Sequence, residues 1–404
     1  MSMLLHTTRR GQRGFSLVEL MVGMAIGLIG ITIITHLYLT NEKYKRSTTG
    51  AGTAQVNGAI ALYTLERDIR ASGYGINHSA LLGCTCAGAG CSPLRYHYNG
   101  VYSFPPAAGA VASRPPLMPA PVVIASTAGT PDTITVLASG DNEAAVPIQM
   151  TENMANAGAA FKLDGTANYR EPGGTNPIWI APNGYFVIVA QAGTCALARA
   201  TNVTASSSNI EHTGASLWNP AAGSSLPTFS AGAYVFNIGI TPVWRTYSVL
   251  TTANAYKLQV ADVMRVIDGS VPTPLQIVDD IVDIQAEYGR DANNDGRVAD
   301  TEWSPTAPAN AAEWQQVLAI RVGVLARSGN YEQPDPPGSA CAATIVNLPD
   351  NQSSSAVWAG TYTAGTTTVK PESAFTVPGG LPSCYKHRVF ETVIPLRNMI
   401  WRQS

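Results

Sequence analysis

Charge is scarce in this sequence. Asp, Glu, Lys and Arg together make up 13% of its 404 residues, and the net charge is −2. A nearly neutral chain carries no field that gathers a polyanion, so composition gives no sign of nucleic-acid binding. Histidine is sparse as well. His6, His36, His78, His97, His212 and His387 stand apart, without a spacing that suits a metal. His-Glu-x-x-His, a phosphate-binding glycine loop and a Gly-x-Ser-x-Gly elbow are missing. No catalytic constellation and no small-molecule substrate are therefore implied.

Apolar residues are concentrated at the N-terminus. From Phe15 to Leu39 the only charge is Glu19, and every basic residue before it (Arg9, Arg10, Arg13) lies on one side. As a helix, this run reaches roughly 37 Å, enough to cross a hydrocarbon core of about 30 Å. The positive-inside bias puts residues 1–14 in the cytoplasm and the long remainder across the membrane. A cleavable signal peptide fits poorly, because its apolar part is shorter and ends in a small-residue site. A plain anchor explains the length but not Glu19. A carboxylate inside an apolar span costs about 2.5–3.5 kcal/mol near the centre of the bilayer, so it normally has a partner.

Gly14-Phe15-Ser16-Leu17-Val18-Glu19 resembles the processing signal of type IV prepilins and pseudopilins. The basic leader, the Gly-Phe junction, the glutamate spacing and the apolar run occur together. The resemblance implies that a prepilin peptidase cuts after Gly14 and that Phe15 becomes the N-methylated first residue. It also implies that Glu19 serves assembly by pairing with a new N-terminal amine, usually that of a neighbouring subunit.

With 37 Gly and 27 Pro, the remaining chain suits a loop-rich β protein outside the cytoplasm. The expected division is a leader (1–14), an N-terminal helix (15–75, spanning the membrane over about 15–39) and a β-rich body (76–404). An inserted subdomain over about 76–230 is an option. Gly50 and Gly52 suggest a bend over 47–53. Beyond it, Val56, Ile60, Tyr63, Leu65 and Ile69 keep helical spacing, and Gly73 and Gly75 end the helix. Gly23, Gly27 and Gly30 form a small-residue pattern that would let membrane helices approach closely.

Strands are expected over 121–126, 133–139, 185–191, 194–198, 234–240, 243–250, 256–260, 317–327 and 387–399, with Ala192-Gly193 as a turn. The stretch 275–288 reads equally as strand or helix. The fold class is α+β: one long helix packed on an antiparallel sheet.

Four blocks are similar to the PilW family of minor pilins: Ala61–Tyr74, Ile277–Gly289, Leu318–Arg327 and Arg388–Asn398. The resemblance implies a type IV pilin-like fold and a minor pilin in the inner membrane, with its body in the periplasm. Its partners would be other minor pilins, the major pilin and the peptidase. Its role would be to prime or cap a type IV pilus at the tip, the organelle of twitching motility and adhesion. A minor pseudopilin of type II secretion shares the N-terminal motif and remains open. So does a tip adhesin, for which Trp179, Trp218 and Trp244 could form a contact surface, although tryptophans more often fill cores.

With export implied, an even set of cysteines (Cys84, Cys86, Cys91, Cys195, Cys341 and Cys384) reads as disulfides. The expectation is a Cys341–Cys384 bridge and two bridges among the other four.

Residues 291–302 fit the calcium-loop pattern D-x-[DN]-x-[DN]-G-x5-E at every defined position. Asp291, Asn293 and Asp295 would give side-chain oxygens, Arg297 its carbonyl and Glu302 both carboxylate oxygens, with Gly296 at the sharp turn. Position nine is Ala299, so water would serve there, and Asp300 is a substitute ligand. The plain alternative is a solvated Asp/Asn/Gly turn.

Overall fold

The computed structural model describes residues 16–82, 84, 95–98, 101–103, 118–127, 130–140, 147–164, 184–204, 209–213, 218–219, 226–252, 255–264, 274–331, 344–345 and 385–400. One helix, α1 (Leu17–Ala71), runs unbroken for 55 residues. The expected bend at 47–53 is absent. Helix propensity is a weak prior, and here packing overrides it. A Cβ on Gly50 would lie 3.2 Å from the Ser328 Cβ, and one on Gly58 would lie 2.0 Å from the Phe390 ring. Close approach of the sheet therefore accounts for both glycines. The helix ends where expected. Ser72 turns the backbone out, its hydroxyl donating to the Ile69 carbonyl at 2.7 Å. Gly73 and Gly75 follow with φ of +81° and +75°.

Two sheets share a core with this helix. The first has the order β14 (Leu275–Asp279), β13 (Tyr256–Asp262), β12 (Val243–Thr251), β4 (Thr133–Ala138), β3 (Val122–Ala125). The second has the order β16 (Trp303–Ser304), β15 (Ile281–Arg290), β17 (Val317–Arg327), β19 (Lys386–Pro395), β18 (Thr344–Ile345). Ala54, Ala61, Leu65 and Ile69 of the helix meet Val122, Ile134 and Tyr247 of the first sheet and Ile284, Ile320, Val322 and Val324 of the second. The terminal strand stops at Pro395, short of the expected residue 399. A short helix, α3 (Arg397–Ile400), takes over there, because proline cannot donate to a ladder.

The ambiguous stretch 275–288 is two strands around one corner. Asp280 sits between β14 and β15 with φ +60° and passes the chain from one sheet to the other. Asp280 N donates to the Tyr256 carbonyl at 2.7 Å and Arg327 N to the Asp280 carbonyl at 2.9 Å. The Arg327 guanidinium holds the Asp280 carboxylate at 2.8 Å and lies over the rings of Tyr256 and Tyr385. These bonds offset the cost of a left-handed aspartate, about 1 kcal/mol or more.

The stretch 76–230 divides between two parts of the fold. β3 and β4 belong to the helix-packed sheet. The rest, with β11 (Tyr234–Gly239) from just beyond it, builds a separate six-stranded sheet of order β2 (Val101–Ser103), β1 (Arg95–Tyr98), β8 (Thr194–Arg199), β7 (Phe186–Gln191), β11, β5 (Ile148–Gln149). A small sheet of β6 (Phe161–Lys162), β10 (Asn209–Glu211) and β9 (Asn202–Thr204) lies with it. β7 and β8 read as continuous apolar runs because both faces are covered. Ile188, Ala190 and Leu197 face Trp218, Trp244 and the short helix α2 (Ser79–Leu82). Val187, Val189 and Ala198 face Phe161, Ile210 and Phe229. Ala192-Gly193 is the expected turn, with positive φ at both residues.

Candidate functional site

The helix that organises the sequence also carries its candidate site. Ser16 and Glu19 form a capping box at its first turn. Ser16 Oγ accepts from Glu19 N at 3.1 Å, and Glu19 Oε2 accepts from Ser16 N at 3.0 Å. The carboxylate thus lies against the unpaired amides of the helix start, which favour negative charge. Gly14 and Phe15 lie outside the described residues.

Below Gly50 the helix is bare. Leu17, Met21, Met24, Leu28, Ile31 and Ile34 are all exposed, and no described residue outside the helix comes within 4 Å of a Cβ built on Gly23, Gly27 or Gly30. The hydroxyls of Thr32, Thr35 and Thr40 donate to carbonyls four residues back at 2.8–2.9 Å, so they need no outside partner. By length and composition this is one helix able to cross a membrane. Above Gly50 one side is buried on the sheets. On the opposite side Val56, Ile60 and Tyr63 are 57, 46 and 66% exposed, at helical spacing along one stripe. A polar stretch, Asn41–Thr49, with the Glu42–Arg46 ion pair, separates this stripe from the membrane-length segment.

The 291–302 loop hangs from the end of β15. Asp291 is buried, and its two oxygens accept from Asp295 N at 2.9 Å and Gly296 N at 2.8 Å. Asn293 Oδ1 accepts from Asp295 N, and Asp295 Oδ1 accepts from Arg297 N. Glu302 closes the loop, accepting from Ala292 N at 3.1 Å and Ala299 N at 2.8 Å. Asn294 and Gly296 take the positive φ values that so tight a winding needs. Among the described residues no group of three or more His, Cys, Asp and Glu converges on a metal position. A carboxylate offers about four lone-pair sites. The amides use two on Asp291 and two on Glu302, so both keep capacity for an ion.

Of the six cysteines, Cys84 and Cys195 are joined, with Cα atoms 6.0 Å apart. The bridge ties the segment after α2 to the centre of the six-stranded sheet. Cys86, Cys91, Cys341 and Cys384 lie outside the described residues. Trp218 and Trp244 are core residues rather than a contact surface, and Trp179 lies outside the described residues.

Sequence reasoning missed a group of buried acids on the face of the second sheet away from α1. Glu287 and Arg321 are opposite each other on β15 and β17, both buried, and form a two-armed ion pair. The guanidinium lies 4.7 Å from the Trp303 ring centroid. Glu391, two residues from Val393, the partner of Arg321 on β19, is pushed up to about 7 by burial and by Glu287, with Arg321 opposing. Asp283, fully buried, is raised to about 7 by burial and by the charge of Asp132. Asp132 is raised to about 6 by burial and by the charge of Glu287, against a hydrogen bond from Ala286 N. The Asp283-x-Gln285-x-Glu287 alternation was the available signal, but alternating polar residues in a strand normally mark a solvated face.

Residues 246–398 match the family model described as type IV pilus-assembly protein W. Residues 9–35 match the prokaryotic N-terminal methylation motif. No curated protein and no solved structure matches the chain. The first match covers the Asp280 corner, the second sheet and the C-terminal strand, and the second covers the capping box and the bare helix. The two matches, on a long apolar helix with an antiparallel β body, make this chain similar to the type IV pilus-related pilins, with its C-terminal part similar to the PilW family.

Proposed function

We propose that the chain is a minor pilin that joins other minor pilins and the major pilin in the complex that primes or caps a type IV pilus. A prepilin peptidase cuts it after Gly14 and Phe15 is methylated. The body then stands in the periplasm, and after assembly at the pilus tip. The observation that carries this reading is the exposed apolar surface of α1, in two parts. One is the membrane-length segment; the other, beyond the polar stretch Asn41–Thr49, is the stripe of Val56, Ile60 and Tyr63, which no described residue of the chain covers. Such a surface fits the helix of a neighbouring subunit. Removing Phe15 from its leader places a new amine next to the Ser16 amide that Glu19 already holds.

Two measurements test it. The mass of the membrane-extracted chain should fall by residues 1–14 and rise by one methyl group only in cells that have the peptidase. Ile60→Glu, at an exposed position, should leave the fold intact and strongly reduce both pilus number and recovery of the chain in sheared pili. Normal piliation with that variant would overturn the assembly reading. If deleting the chain leaves pili intact but stops protein export, the type II pseudopilin alternative takes over. If it leaves pili intact but abolishes adherence, the adhesin does.

We also propose that the 291–302 loop takes a calcium ion through Asp291, Asn293, Asp295, the Arg297 carbonyl and Glu302. The support is the donor set at every defined position and the loop wound around Asp291. Loops of extracellular modules bind calcium with Kd of about 0.1–1 mM, and a concentration a hundredfold above Kd adds about 2.7 kcal/mol of stability. The full-length chain in detergent should melt higher in calcium than in chelator, and Glu302→Gln should remove the difference. Equal melting of the unaltered chain under both conditions would end the proposal.

A further inference from the structure

The outer edge of β15 is covered by something other than a strand. β16 pairs with β15 only at Tyr288 and Gly289. Further along, residues 130–132 take the place of a strand. Asp132 N donates to the Ile284 carbonyl at 2.8 Å, and Ala286 N donates to Asp132 Oδ2 at 2.8 Å. Gln285 Nε2 reaches the Thr130 carbonyl at 3.2 Å and both oxygens of Asp283 at 3.2 and 3.3 Å. Three residues thus imitate a ladder, with a carboxylate acting as one rung.

The arrangement has an electrostatic defect. Asp132 is 1% exposed and Asp283 0%, and among the described residues Asp132 Oδ1 has no hydrogen-bond partner. The charged or titratable groups that face them are Glu287 on β15, which acts on Asp132, and Tyr288, whose hydroxyl accepts from Ile124 N. Across the sheet, Asp283 lies opposite Leu325, Arg321 is committed to Glu287, and Arg327 is committed to Asp280. Among the described residues no cation pairs with either carboxylate. Two uncompensated buried carboxylates cannot both stay charged, and the lightest remedy is a proton.

We propose that Asp132 and Asp283 form a proton-held latch. With a proton on the pair, residues 130–132 clamp the open edge of β15. With both groups ionised, the clamp lets go and the edge at Ile284 and Ala286 is freed.

Both acids bind protons more tightly folded than unfolded, being raised to about 6 and about 7. Their contribution is complete below the unfolded value near 4 and is lost as pH rises toward about 7. His212 and His387, held below their ordinary value by burial, act in the opposite sense as pH falls. Total stability therefore mixes both, and the latch must be read locally.

The test is amide hydrogen exchange on the full-length chain in detergent at about pH 5 and about pH 8, corrected for the intrinsic rate. In the unaltered chain, peptides covering 130–132 and 284–286 should open several-fold more at the higher pH. Asp283→Asn, which cannot ionise, should flatten that response, and Glu391→Gln should leave it in place. Should Asp283→Asn fail to fold, Asp132→Asn serves, since its carbonyl still accepts from Ala286. An equal pH response in the unaltered chain and in the folded variant would overturn the latch.

Discussion

Arg321→Met should cost the folded chain about 3–5 kcal/mol, the range found when one partner of a buried ion pair is removed. The guanidinium is the counter-charge of Glu287 and also moderates Glu391, and both acids sit on the same face of the sheet. Methionine keeps most of the packing volume but leaves two carboxyl groups facing each other without a cation. Arg321 also loses its place over Trp303, a smaller loss. Chemical denaturation of the full-length chain in detergent measures the effect. Adding Glu287→Gln to the same chain should recover much of the loss, because an amide pays far less for burial than an unpaired carboxylate. No recovery would mean that arginine acts through packing alone.

Gly58→Leu should be nearly as costly, for a steric reason. The Phe390 ring occupies the space a Cβ at position 58 would need. Leucine evicts the ring, which forfeits about 1.5–3 kcal/mol of burial, and overpacking adds about 1–3 kcal/mol. Better helix propensity returns only about 1 kcal/mol. The damage should centre on β19, whose amides next to Phe390 should lose exchange protection first. Phe390→Ala in the same chain should relieve the clash, so the two losses should add to less than their sum. Strict additivity would show that the ring and the glycine do not meet.

How much of this was legible in the sequence depends on what decided each element. Val317–Arg327 was readable to its ends because a buried central strand is a long apolar run bounded by polar residues. Residues 275–288 were not, because the left-handed Asp280 splits one apolar pattern between two sheets, and nothing local announces an aspartate in that conformation. Gly50 was misread as a weak point, since a glycine that admits a neighbour looks the same in sequence as one that breaks a helix. The capping box and the apolar helix were legible because they are local. The buried acids were not, because burial of Asp283 depends on Asp132, distant in sequence, and on sheet pairing that only the fold supplies.

The fastening of α1 to the body has a mechanical consequence. The attachments are spread along the helix rather than gathered at one end. Gly50 rests on Ser328, Asn57 donates to the Asp279 carbonyl, Phe390 sits against Gly58, and Asp68 is held by Arg245 and Tyr247. At the top, Asn398 donates to the carbonyls of Ala71 and Ser72. A pull along the helix axis loads all of these together in shear. Peeling would break them one at a time, but an axial load must break them at once. The helix and body should therefore yield to axial tension as a single unit rather than peel apart.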